Sequence, residues 1–207
     1  MGPKVISLSD ENLFQYVKDC LESYGLIIYP TDSIYGLGAD ARKDHSVLRV
    51  FEAKRRPPQK PLSVVVSRDT LPLFAKLDKQ AIKFIDKFLP GPLTVLLNQK
   101  GKLSSQLNLN EPDRIGFRIL PPKFRISEFV DIYRIPLTAT SANISGSQDN
   151  TLRVIVRDLN LKNGDLVIRT EFQMSFIPST IVDLTSIPPK ILREGVLSRK
   201  LREWGCV

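Results

Sequence analysis

The side chains best suited to chemistry fall in two short segments about ninety residues apart. Lys54-Arg55-Arg56-Pro57-Pro58-Gln59-Lys60-Pro61-Leu62 sets four cations and three prolines in nine positions, so the charge sits on a stiffened backbone. Thr140-Ser141-Ala142-Asn143-Ile144-Ser145-Gly146 is a run of small hydroxyl and amide groups entered from the apolar stretch Ile135-Pro136-Leu137. One segment supplies fixed positive charge and the other short-range hydrogen bonding. Together they imply a pocket for a polyanionic small molecule, with a nucleoside triphosphate the natural candidate. Lys54 and Arg56, two apart, can point the same way where a helix gives way to extended chain. Arg56 can then hold two phosphate oxygens and Lys54 a third. Ser141 and Asn143 share one side if the chain is still extended there, although an Asn/Ser turn accounts for them equally well.

Two further places add polar groups at strand ends, where loops can converge without disturbing a core. Tyr29-Pro30-Thr31-Asp32-Ser33-Ile34-Tyr35-Gly36-Leu37-Gly38 puts hydroxyls, a carboxylate and two phenols beside glycines that allow close backbone approach. Neither a Walker A loop nor a dinucleotide fingerprint is present, and an ordinary strand-to-loop turn is the competing explanation. Pro178-Ser179-Thr180 and Leu192-Arg193-Glu194-Gly195 form the other place. Arg193 before a glycine suits an anion, or a surface salt bridge with Glu194.

The elements that must position these groups alternate between short β-rich runs and helical stretches, which points to an α/β fold. Helices are expected over 10–23 (capped by Ser9 or Asp10 and stopped at Gly25), 46–54, 81–88, 127–133 and 151–158. Strands are expected over 26–29, 62–66, 93–97, 114–119, up to 138, 166–168, 180–183 and 190–192. The last strands follow one another without helices, so the sheet should be mixed, twisted and open, with flanking helices. The 207 residues contain no linker or repeat and read as one domain. Its core runs from about residue 5 to 197, and 198–207 form a short tail.

Composition narrows the chemistry. His45 is the only histidine, and Cys20 and Cys206 are the only cysteines. That leaves too few ligands for a structural zinc site and no histidine-based triad unless His45 serves. Catalysis must come from Lys, Arg, hydroxyls and carboxylates. A net charge of +8 favours anionic partners such as nucleotides, RNA or acidic proteins. The N-terminus lacks the apolar core of a signal peptide, and no apolar run nears the roughly 20 residues of a membrane span. A cytoplasmic protein with no membrane contact is the expectation.

The order of motifs resembles the YrdC family. Tyr-Pro-Thr-Asp-Ser-Ile-Tyr-Gly-Leu-Gly, Phe-Glu-Ala-Lys-Arg-Arg-Pro, Lys-Pro-Leu, Pro-Gly-Pro-Leu-Thr, Gly-Phe-Arg-Ile, Thr-Ser-Ala-Asn-Ile-Ser-Gly, Pro-Ser-Thr-Ile-Val-Asp and Leu-Arg-Glu-Gly occur in the family's sequence. The resemblance, to the single-domain form, implies a YrdC-like sheet with a basic concave face. It also implies threonylcarbamoyl-AMP synthase activity, a nucleotidyl transfer from L-threonine, bicarbonate (or CO2) and ATP. Mg2+ would accompany the triphosphate, with no tightly bound protein-ligated metal. A separate tRNA threonylcarbamoyltransferase would pass the group to the adenosine beside the anticodon. By motif, Lys54 and Arg56 would be the catalytic cations. Arg56, Lys60, Ser141, Asn143 and Arg193 would bind ATP. Thr31, Ser33, Tyr35, Arg118 and Ser179 would form the threonine pocket, with Arg118 on the carboxylate. Ser33 stands where the family more often has threonine, Lys60 where it often has another polar residue. The proline after Arg118-Ile119 comes one residue late, and a histidine common nearby is missing. The rival from another class is a tRNA- or double-stranded-RNA-binding module of the same fold without catalysis. Carbamoyl-adenylate-forming relatives in hydrogenase maturation factors are a nearer rival, but their chains are much longer and carry zinc-finger cysteines.

Overall fold

The computed structural model describes residues 2–144, 152–172 and 177–207. Ser145 and Gly146 of the hydroxyl-amide motif, and Thr151 at the expected start of a helix, lie outside the described residues. Strands are β1 (Lys4–Ser7), β2 (Ile27–Tyr29), β3 (Gly36–Gly38), β4 (Ser63–Val65), β5 (Leu93–Asn98), β6 (Arg114–Arg118), β7 (Leu137–Ser141), β8 (Leu166–Arg169), β9 (Thr180–Asp183) and β10 (Lys190–Arg193). Helices are α1 (Leu13–Glu22), α2 (Asp44–Lys54), α3 (Leu71–Phe74), α4 (Lys79–Phe88), α5 (Ile126–Tyr133), α6 (Leu152–Asp158) and α7 (Ser198–Glu203). The strands form one open sheet in the order β1-β8-β2-β3-β7-β4-β6-β5-β9-β10. Pairs β1/β8, β2/β8, β4/β6 and β5/β9 are parallel and the rest antiparallel, so the sheet is mixed as expected.

Side-chain alternation along the strands builds two apolar layers. Ile28, Val64, Val95, Phe117, Val167 and Val182 point to one face, where they meet α2, α3, α4, α6 and α7. Ile27, Tyr29, Val65, Leu137, Leu166 and Ile168 point to the other, where α1 and α5 cover them. Strands β5, β6, β9 and β10 contribute nothing to this second layer among the described residues. Among the described residues, half of that sheet face is therefore left without a helix. The candidate site is built on it.

Four elements differ from the sequence expectation. β1 is a short edge strand whose only buried residue is Ile6, too weak an alternation to read. β3 is Gly-Leu-Gly, a strand almost without side chains, expected as loop. α3 is a single helical turn. The expected tail at 198–207 folds as α7 and packs on the core. Leu201 is fully buried, and Trp204 stands edge-on to Phe84 and Phe88 of α4 at 5.1 and 6.0 Å. The start of α1 also shifts: Asp10 accepts from Asn12 N–H at 2.9 Å, which delays the helix to Leu13.

The burial of Leu201 has a measurable consequence. Leu201→Ala should cost about 2–5 kcal/mol in denaturant unfolding, the range for emptying a buried leucine site. A disposable tail would give no change.

Candidate active site

The uncovered half-face opens a cavity of about 430 Å3, within the roughly 300–1,000 Å3 usual for small-molecule sites. Alternation delivers its floor. Ser63, Thr94 and Arg118 sit on the strand positions opposite in phase to the core residues Val64, Val95 and Phe117. Gly116 keeps the floor shallow: a Cβ there would lie 2.7 Å from Ser63 Oγ.

The first wall is the turn after β2. Thr31 Oγ1 donates to Ile34 O at 2.6 Å and accepts from Ser33 N–H at 3.1 Å, so the hydroxyl residues fix their own turn. Ser33 Oγ lies 3.2 Å from Thr31 Oγ1. The Tyr29 ring lies across β3 and donates its hydroxyl to Thr138 O at 3.0 Å. A Cβ on Gly36 would come within 2.7 Å of that ring, and one on Gly38 within 2.8 Å. Burial pushes the Tyr29 phenol above its usual range. Tyr35 lines the cavity, and its hydroxyl oxygen accepts from Thr170 N–H at 3.4 Å.

The second wall is the end of α2. Arg55 takes a left-handed conformation, φ 47°. Arg55 N–H returns to Glu52 O at 3.0 Å and Arg56 N–H to Phe51 O at 2.9 Å, closing the helix as a C-terminal cap. This corrects the expectation that Lys54 and Arg56 point together from extended chain, because the left-handed residue between them separates the two. Arg56 reaches the cavity and donates to Lys60 O at 3.0 Å and Pro61 O at 2.9 Å. The Lys60 side chain does not line the cavity and is exposed; its carbonyl is what holds Arg56. Lys54 is 1% exposed and lies behind the wall, its ammonium donating to Ser141 O and Asn143 O. Burial, with help from the Arg56 guanidinium, pushes Lys54 down to about 7.

The third wall is the end of β7, where Ser141 Oγ donates to Asn143 Oδ1 at 2.5 Å and both residues line the cavity. The fourth joins the approach to β9 with the end of β10. Arg193 donates to Ser179 O at 3.0 and 2.7 Å and to Ser179 Oγ at 3.0 Å. Ser179 Oγ in turn lies 3.1 Å from Thr94 Oγ1. Glu194 pairs with Arg202, so the alternative of an Arg193–Glu194 bridge does not occur. Gly195 is required for this approach: a Cβ would sit 2.6 Å from Thr180 N. Burial, then Arg118, holds Arg193 below the usual guanidinium range.

Arg118 closes the floor with an ion pair to Asp32 at 2.6 Å. Burial raises the Asp32 carboxyl, and the guanidinium opposes it. Three guanidinium groups, from Arg56, Arg118 and Arg193, thus face one cavity that no acidic side chain lines among the described residues. Every candidate residue except Lys54 and Lys60 lines it. Sequence reasoning missed Ser63, which follows the Lys-Pro-Leu motif, and Thr94, which ends the Pro-Gly-Pro-Leu-Thr motif, and it left open whether Asp32 accepts protons without pairing it with Arg118.

A family model covering Sua5, YciO and YrdC proteins, described under telomere recombination, matches residues 19–195. The chain belongs to the Sua5/YciO/YrdC family. As a member of that family it is 34% identical over 198 residues to a Methanocaldococcus jannaschii protein provisionally named a threonylcarbamoyl-AMP synthase, covering 94% of this chain and 92% of that one. It is 34% identical over 176 residues to the Pyrococcus abyssi threonylcarbamoyl-AMP synthase, covering 83% of this chain but 51% of the longer relative. The crystal structure of P. abyssi Sua5 complexed with L-threonine superposes with a TM-score of 0.84 at 26% identity, covering 99% of this chain and 61% of that one.

The buried lysine gives this family member a pH signature. Lys54 is ordinarily at 10.5 and is held near 7 in the fold. Between these values the unfolded chain binds a proton that the folded chain does not, so stability rises with pH across that window and is level below it. Urea titrations at several pH values should show this rise, and Lys54→Met should flatten it. An unchanged slope in the variant refutes the assignment.

Proposed function

We propose that this chain is a threonylcarbamoyl-AMP synthase, joining L-threonine, bicarbonate or CO2, and ATP to give threonylcarbamoyl-adenylate and pyrophosphate. The observation that carries the reading is the cavity itself: three guanidinium groups, one of them paired with Asp32, with no lining carboxylate among the described residues, interleaved with the hydroxyls of Thr31, Ser33, Ser63, Thr94, Ser141 and Ser179. A polyphosphate needs the cations, and an amino acid and ribose need the hydroxyls. The synthase name of the P. abyssi relative, and the provisional one of the M. jannaschii relative, support the same conclusion.

The threonine nitrogen attacks the carbon of CO2, forming the N–C bond and releasing a proton to solvent. The resulting carbamate oxygen attacks the α-phosphorus, and the bond from phosphorus to the pyrophosphate oxygen breaks. Arg56 and Arg193 would stabilise the charge that builds on the leaving pyrophosphate, with Ser141 and Asn143 holding nucleotide groups. Arg118 would take the threonine carboxylate, beside Ser33, Thr31, Tyr35 and Ser179. Catalysis by alignment and charge stabilisation needs no histidine base. Mg2+ would enter on the triphosphate, whose oxygens suit it better than this donor set. No cluster of three or more His, Cys, Asp or Glu side chains able to hold a metal lies among the described residues. Lys60, exposed at the rim segment, would add long-range attraction for ATP.

The product would pass to a tRNA threonylcarbamoyltransferase, and the net charge of +8 supports contact with tRNA or other duplex RNA across a basic concave face. No helix among the described residues is long and apolar enough to cross a membrane. We place the reaction in the cytoplasm, where ATP and tRNA meet.

Pyrophosphate release from Mg-ATP and bicarbonate should depend on L-threonine and be weaker with serine or glycine. Release that ignores threonine, or none at all beside tight duplex RNA binding, leaves a binding module. Arg118→Ala should raise the KM for threonine about 10- to 100-fold, the usual cost of a lost charged hydrogen bond. The KM for ATP should move far less in steady-state assays.

A further inference from the structure

Lys54 is the buried cation of this group, and unlike Arg56, Arg118 and Arg193 it does not reach the cavity. It is 1% exposed, among the largest fully buried side chains, and absent from the lining. Its ammonium has three N–H donors. Two go to the main-chain carbonyls of Ser141 and Asn143, and the third acceptor in reach is Asn143 Oδ1 at 3.5 Å. Moving Nζ to a phosphate would strand two carbonyls in a buried place, which opposes the move.

The carbonyls also say what the lysine is for. They belong to the last residue of β7 and to the turn just beyond it, whose side chains line the cavity. Without a cation between them, two carbonyl oxygens pointing at one spot repel each other. Lys54 is the last residue of α2, so the bond ties the end of that helix to the end of β7. The left-handed Arg55 then turns the chain so that Arg56, the next residue but one, comes out on the cavity side.

We propose that Lys54 is a positioning residue, a latch that fixes the Ser141–Asn143 turn for the nucleotide, and that the phosphate contacts fall to Arg56 and Arg193. The inference rests on the ATP-binding reading above. Because the latch's two close contacts are main-chain oxygens, Ser141→Ala and Asn143→Ala keep both, losing only the 3.5 Å contact to Asn143 Oδ1 along with the groups the latch positions.

The test is the affinity for a non-hydrolysable Mg-ATP analogue in about 0.5 M salt, where attraction at a distance is screened. Lys54→Met in the otherwise native chain should weaken binding about tenfold or more. In the Ser141→Ala/Asn143→Ala background the same change should cost less than about threefold, since coupled residues fall well short of multiplying. With Arg193→Ala, which makes no contact with the latch, the losses should multiply. An equal loss in both the native and the Ser141/Asn143 background overturns the latch.

A crystal structure of the native chain with the same analogue decides the point even where Lys54→Met fails to fold. Nζ still on the two carbonyls supports the proposal. Nζ on a phosphate oxygen with the carbonyls released overturns it while leaving the ATP-binding reading intact. Failure of the native chain to bind the analogue at all overturns both.

Discussion

The cations of this site are held by main-chain oxygen more than by carboxylate, and much else follows from that. Lys54 rests on two carbonyls, Arg56 on the carbonyls of Lys60 and Pro61, and Arg193 on that of Ser179. A carbonyl orients a guanidinium less strongly than a two-pronged carboxylate, but it leaves the charge uncancelled. The result is a rigid region of positive potential with few counter-charges, stored at the expense of mutual repulsion and desolvation. Such an arrangement is preorganised for an anion whose charge grows during reaction. It also makes the ligand part of the stability of the fold, because an anion that binds only the folded state relieves the repulsion.

The sheet decides where this region can form. A face fully clothed in helices has no room for polar side chains, and a bare one would expose apolar floor. Here α1 and α5 cover one end of a face, and β4, β5 and β6 carry Ser63, Thr94, Gly116 and Arg118 in the phase that would otherwise be core. Glycines then set how closely the walls approach. Gly36 and Gly38 let the Tyr29 ring lie flat on its neighbouring strand, and Gly195 lets the Arg193 segment press on the start of β9.

Much of this was legible in the sequence, and the exceptions have physical causes. β2 reads as a continuous apolar run because both of its faces are buried, β5 and β6 show alternation because one face of each is core, and the motif ends fall where the strands stop. β3 escaped because its two glycines carry no pattern. α7 escaped because only Leu201 and Trp204 mark its inner face, and Trp204 finds its partners on a distant helix. The divergence of Lys54 from Arg56 hangs on the left-handed Arg55, a conformation that a glycine would have announced and an arginine hides. Ser63 and Thr94 could not be assigned because their role depends on which half of a sheet the helices leave open. Strand periodicity says nothing about that.

The Arg118–Asp32 pair has a consequence of its own. Asp32, which does not itself line the cavity, already sets a carboxylate on the guanidinium proposed for the amino-acid substrate. An incoming amino acid must therefore exchange with, or share, a resident anion instead of filling a vacancy. Exchange of like for like costs little, whereas an uncharged amide or alcohol has nothing equivalent to offer. In the proposed reaction the resident pair would act as a filter on charge before shape is read, and it would keep the arginine from recruiting stray anions between turnovers.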